Sequence, residues 1–162
     1  MNLRTLLLPA LAAALVAGCS QKDAGSTAQA PAAASGPREV DIEAGDTMKY
    51  SVTAIEAKPG EDLKVVLTNT GSQPKEVMGH NWVLLKPGTD VAAFDAAAVS
   101  AKDTGYIPAS LQGQIVAKID LLGPRKSGEA DFQVPTTPGE YPFLCTFPAH
   151  YQVGMKGVLT VK

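Results

Sequence analysis

From Arg38 onward most of the sequence is a succession of short apolar–polar alternations, each cut off by a proline or glycine turn signal. Alternation with period two buries one face of a pleated strand and leaves the other in water. Strands are predicted over 40–42, 48–52 (running on toward 55), 63–67, 81–85, 114–121, 129–134, 140–145 and 157–161. Turns fall between them, at 58–61 (Lys-Pro-Gly-Glu), 69–72 (Asn-Thr-Gly-Ser) and 86–88 (Lys-Pro-Gly). Many short strands at regular spacing make the chain all-β, a sandwich or a barrel. One stretch departs from this. Residues 91–99 are alanine-rich, and Val91, Phe94, Ala98 and Val99 can line one helical face. A short helix is expected there, packed on the outside of the strands. There are no internal repeats.

The first residues belong to a different kind of segment. Met1 to Arg4 carries one positive charge, and residues 6–16 form an apolar run rich in leucine and alanine. That run is too short to span a bilayer, which takes about 20 residues, and it fits the h-region of a signal peptide. It ends in Leu-Val-Ala-Gly-Cys19, which resembles the lipobox of bacterial lipoproteins. The resemblance implies a signal peptide over 1–18, cleavage before Cys19, and acylation of that residue into a lipid bilayer. Ser20 stands where an inner-membrane retention signal has aspartate, so the outer membrane is expected rather than the inner. Residues 19–37 then form the lipidated cysteine and a tether of Ala, Ser, Gly and Pro. With no large apolar residue, the tether cannot drive burial. It would span roughly 20–25 Å on average and about 60 Å when stretched. The remaining 38–162 is one domain, long enough to bury a core without disulfide staples. The protein is expected in the periplasm, held there by its lipid.

Charge excludes some functions. Charged residues make up 19% of the chain and the formal net charge is −2. Nothing in that balance recruits nucleic acid. There are two cysteines, Cys19 and Cys145. With one lipidated and the other given to a metal, no disulfide is predicted.

The metal reading rests on one loop. Cys145-Thr-Phe-Pro-Ala-His150-Tyr-Gln-Val-Gly-Met155 brings a thiol, an imidazole and a thioether together. His80, the only other histidine, lies far upstream. A buried cysteine alone is most often a small inert hydrophobe, and a methionine is core filler. Here Phe147-Pro148 forces a turn between Cys145 and His150, and Gly154 and Gly157 let the chain curl back into the last strand. A thiolate, two imidazoles and a weak axial thioether form the ligand set of a blue copper site. Zinc accepts Cys and two His, but methionine suits it poorly. Catalytic metals keep an open coordination position. Four protein ligands in a rigid sandwich leave none, which points to single-electron exchange rather than substrate chemistry.

The segments 77–84 (Val-Met-Gly-His-Asn-Trp-Val-Leu), 141–150 (Tyr-Pro-Phe-Leu-Cys-Thr-Phe-Pro-Ala-His) and 155–157 (Met-Lys-Gly) resemble azurin and, more broadly, the cupredoxins, auracyanins included. The likeness covers about 38–162. It implies an eight-stranded Greek-key β-sandwich with a helical flap and one type 1 copper per chain. His80, Cys145 and His150 match the equatorial ligands and Met155 the axial one. Gly79 matches the glycine whose carbonyl lies near copper on the other axial side. Asn81 matches the residue that braces the ligand loop, Phe147 the aromatic beside the site, and Trp82 the buried tryptophan. Met78 and Ala149, with Tyr151, fall at the apolar patch around the exposed edge of His150, the electron port. Two features depart from azurins. Four residues separate His150 from Met155 where azurins have three, a spacing closer to the auracyanins. The cysteines of the azurin disulfide are also missing.

The resulting expectation is a monomeric, membrane-tethered electron shuttle. It would cycle copper between Cu(I) and Cu(II) and meet a cytochrome c or a periplasmic reductase or oxidase. A periplasmic copper-binding or delivery protein is the alternative. The closed ligand set and the lack of exchangeable Met/His clusters weigh against it. A cysteine hydrolase using Cys145 and His150 leaves Met155 without a role.

Overall fold

A computed structural model describes residues 36–162. The signal peptide, Cys19 and the tether up to residue 35 lie outside the described residues. Eight strands form: β1 (Arg38–Ala44), β2 (Ala54–Ala57), β3 (Asp62–Asn69), β4 (His80–Leu85), β5 (Ile115–Leu122), β6 (Ser127–Gln133), β7 (Gly139–Leu144) and β8 (Lys156–Val161). They make two facing sheets, β1-β3-β6 and β2-β8-β7-β4-β5. The chain changes sheet repeatedly, which gives the Greek-key sandwich. β1 runs parallel to β3 and β2 parallel to β8; the other pairs are antiparallel.

Alternation sets the core. Leu63, Val65 and Leu67 of β3 face inward, as do Trp82 and Leu84 of β4 and Tyr141 and Phe143 of β7. Trp82 is fully buried, its ring centroid 5.4 Å from that of Phe143. β4 is buried along its whole length because its second face is also covered. Val83, Leu85 and Leu144 point outward and pack with Phe94 and Ile107 into a separate cluster. Phe94 comes from α2 (Val91–Val99), the helix expected from the alanine-rich stretch. Asp90 caps it, its carboxylate accepting from the Ala93 amide at 3.0 Å.

Two local expectations are corrected. Residues 48–52 are not a strand. Met48 takes a left-handed φ of 53°, and its amide closes a turn onto the Gly45 carbonyl at 2.9 Å. Only Tyr50 is left to bridge to Ala44, and the strand begins later, at Ala54. Val99 is 48% exposed rather than part of the helix's inner face. At 100° per residue it lies about 80° around the helix from Val91, off the stripe made by Phe94, Asp95 and Ala98. A short helix α1 (Lys75–Met78) and two 3₁₀ turns, Lys102–Thr104 and Ala109–Gln114, complete the described chain.

Candidate metal centre

Strand parity delivers two of the four ligands to one point. His80 opens β4 on the same face as Trp82 and Leu84, while Cys145 follows β7 on the face of Tyr141 and Phe143. β4 and β7 are hydrogen-bonded neighbours, with Val83 opposite Leu144. Both ligands therefore leave the sheet at the same end. The ladder sets His80 and Trp82 against Leu122 and Ile119, so the extra residue of this irregularity lies in β5, and such a bulge bends the sheet beside the ligand end of β4. The loop supplies the rest. The His150 amide donates to the Phe147 carbonyl (3.1 Å), the Met155 amide to the His150 carbonyl (2.9 Å), and the Cys145 amide to the Met155 carbonyl (3.1 Å). These bonds fold 145–155 into a closed ring beside His80.

One ligand atom from each of His80, Cys145 and His150 lies within 4.8 Å of the other two. Cys145 Sγ is 3.4 Å from His150 Nδ1, and the two imidazole centroids are 5.0 Å apart. His80, Cys145 and Met155 are fully buried, and His150 is 2% exposed. The donor set fits a metal by a physical test. Neither buried ring nitrogen of His80 makes a hydrogen bond of good geometry. With the Gly45 carbonyl near enough to interact with one of them, at least one is left without a partner, a costly arrangement for a polar group unless something else binds it. The electrostatics agree. Burial pushes the Cys145 thiol up to about 12, against the pull of the Asn81 and Phe147 backbone amides toward thiolate. Burial, with His80 alongside, takes His150 down to about 4. Burial also lowers His80, although the Gly45 carbonyl and Asp46 partly offset it. The imidazoles are neutral at pH 7, with lone pairs to give, and the thiol holds a proton that a soft cation can displace.

A sequence profile of the copper-binding plastocyanin/azurin family matches residues 37–162. The chain belongs to that family. It is 34% identical over 119 residues to auracyanin-B of Chloroflexus aurantiacus, a match covering 73% of this chain and 49% of that relative. It is 35% identical over 126 residues to azurin of Pseudomonas aeruginosa, covering 76% and 84%. Among solved structures, the reduced auracyanin of Roseiflexus castenholzii superposes with a TM-score of 0.69 at 36% identity, covering 78% of this chain and 98% of that one. Auracyanin A of C. aurantiacus, described as a "blue" copper protein, gives 0.69 at 28% identity, with coverages of 78% and 100%. The metal of this plastocyanin/azurin-family chain is copper, and the four residues supply it with a thiolate, two imidazoles and a thioether.

The residues around the ligands brace them. Asn81, fully buried, accepts from the Thr146 amide at 2.8 Å and donates to the Thr146 hydroxyl at 2.7 Å and the Gly105 carbonyl at 3.2 Å. The strand holding His80 is thereby tied to the residue after Cys145. Gly79 is required sterically: a Cβ there would meet the Lys75 carbonyl at 2.6 Å and the Leu121 side chain at 2.9 Å. Phe147 lies between Tyr106, edge-on at 5.0 Å, and the His150 ring at 4.7 Å. Of the residues expected around His150, Met78 and Tyr151 are half-buried and Ala149 is exposed. The exposed edge expected of His150 shrinks to the 2% it retains.

Sequence reasoning missed several contributors in this plastocyanin/azurin-family site. Thr146 could have been found, because any residue between two aromatic-flanked ligands at a strand end must satisfy its own amide. Tyr50, whose hydroxyl donates to the Asn81 carbonyl, and Tyr106 had no local signal. Cys145 is free and buried. Among the described residues no helix is long and apolar enough to cross a membrane.

Proposed function

We propose that this protein carries single electrons between partner proteins of the periplasm, while tethered to a membrane through acylated Cys19. The observation that carries the electron-transfer reading is closure. Three ligands are fully buried, and His150 keeps 2% exposure, so no side of the site admits a substrate. When bound, copper supplies a one-electron couple stable in both states. The chain's own residues hold the donor positions fixed. Asn81 ties β4 to the segment after Cys145, and the backbone bonds of 145–155 close the loop. A frame that does not move between oxidation states keeps the reorganisation cost of electron exchange small. His80, Cys145 and His150 would hold the copper as its strong donors, with the Met155 thioether as a weaker donor and the Gly79 carbonyl as a further weak contact.

Electrons enter and leave through the rim of His150. Met78, Ala149 and Tyr151 form the patch a partner touches. Weak redox encounters use small interfaces, which suits a cytochrome c or a periplasmic reductase or oxidase, met by a monomer. The lipobox-like end of the leader and the polar tether support a lipid anchor, with the outer membrane favoured by Ser20.

The visible spectrum after one equivalent of copper(II) tests the assignment. An intense thiolate-to-copper band, bleached by ascorbate, is expected. A pale spectrum without that band overturns electron transfer and leaves copper handling. Membrane fractionation of cells making Cys19→Ala checks the anchor: the wild type should sediment with membranes and the variant should not.

A further inference from the structure

A buried acid on the helical side of the ligand loop has no part in the donor set. Asp95 is 2% exposed and lies on the inner face of α2 with Phe94 and Ala98. Its Oδ2 accepts a hydrogen bond from the Gln152 side-chain amide, and its Oδ1 has no partner. Burial raises its pKa, and the bond from Gln152 counters part of that rise. As packing alone, an acid here is worse than leucine, since half of its carboxyl is desolvated without compensation. What distinguishes Asp95 from leucine is the bond to Gln152.

Gln152 stands between His150 and Met155. The backbone there is tied to its own loop, Val153 to the Ala149 carbonyl at 3.2 Å and Gly154 to the Tyr151 carbonyl at 2.9 Å. Two side-chain hydrogen bonds connect this stretch to other parts of the described chain. Lys49 donates to the Val153 carbonyl from an exposed position, and Gln152 donates to Asp95. The second is anchored more firmly. Asp95 sits on a helix whose adjacent residue, Phe94, is fully buried in the cluster against which Tyr151 also packs.

We propose that Asp95 is a positioning residue of the copper site: through Gln152 it latches residues 150–155 to α2 and fixes where His150 and Met155 stand relative to Cys145. The latch rests on the copper reading for its purpose, but not for its detection. The test compares Asp95→Leu, Asp95→Asn and Gln152→Leu in the full chain by amide hydrogen exchange without copper and by reduction potential with it. In Asp95→Leu and Gln152→Leu, exchange at Val153, Gly154 and Met155 should rise about tenfold, the scale of one lost hydrogen bond, with β4 and β7 unchanged. Both should move the potential in the same direction. Asp95→Asn keeps an accepting oxygen and should stay within about threefold of the parent in exchange. Unchanged exchange in Gln152→Leu overturns the latch. So does an increase spread evenly over the sandwich in Asp95→Leu, which makes Asp95 an element of stability only. If Asp95→Leu does not fold, Gln152→Leu, at an exposed position, decides alone. A parent without the thiolate–copper band fails the copper reading, while the exchange result stands by itself.

Discussion

Replacing Asn81 by alanine should be strongly destabilising although it leaves all four ligands in place. Its side chain makes three hydrogen bonds inside the protein: one accepted from the Thr146 amide and two donated, to the Thr146 hydroxyl and the Gly105 carbonyl. Each donated bond is worth about 1 kcal/mol net, and leaving the Thr146 amide buried and unpaired adds about 1–3 kcal/mol. Thr146 is fully buried, so water cannot take over. The expected loss is about 3–5 kcal/mol, a large share of a domain's total of about 5–15 kcal/mol. Thr146→Val removes one of the three bonds and keeps the amide paired, so it should cost about 1–2 kcal/mol. Urea unfolding of the copper-free protein reads both as shifts of the midpoint at constant m. Because the two residues share bonds, the double variant should lose less than the sum. An Asn81→Ala loss below about 1 kcal/mol, or one equal to that of Thr146→Val, would show that the bracing argument is wrong.

Three further outcomes follow from the same geometry. Burial sets His150 at about 4 against an ordinary 6.5, so the unfolded chain binds the proton first as pH falls. That stability is complete above 6.5, declines between there and 4, and amounts to at most about 3 kcal/mol; His80, also lowered, adds in the same direction. Copper-free protein should therefore unfold at lower urea at pH 4.5 than at pH 7, a drop absent if the histidines titrate normally. With Cys145 near 12 and both imidazoles neutral, copper uptake at pH 7 should release one proton per ion; calorimetry in buffers of different ionisation enthalpy counts it, and zero release refutes thiolate ligation. Gly157→Ala should fail to give folded protein, judged by near-ultraviolet circular dichroism, because a Cβ would lie 2.2 Å from Phe143 Cζ and 2.4 Å from the Thr53 carbonyl; a native-like spectrum would mean the two sheet neighbours yield more readily than close packing allows.

Local chemistry was enough to read the sheet architecture and the ligands. Period-two alternation marks β3, β7 and β8 because each strand has to hide one face, and those faces became the core; β4 was legible instead as a short, nearly continuous apolar run, buried on both faces. The ligands were legible because Cys145, His150 and Met155 share one loop, and because the chain holds only one other histidine. What escaped depends on surroundings that no local window contains. Met48 and Tyr50 alternate as a strand would, yet a tight turn at Gly45 rotates them out of register. Asp95 falls within the helix face lined by Val91, Phe94 and Ala98, and no local window shows that Gln152 of the ligand loop bonds it there. Gly79 and Gly157 look like turn residues and are instead places where another part of the chain comes too close for a side chain. The exposure of His150 was likewise set by Phe147 and the rings around it. Sequence by itself determined which chemistry this chain can offer, because ligand softness belongs to the residues. Only the tertiary structure decided how tightly that chemistry is enclosed, because burial and hydrogen-bond partners come from segments far apart in the chain.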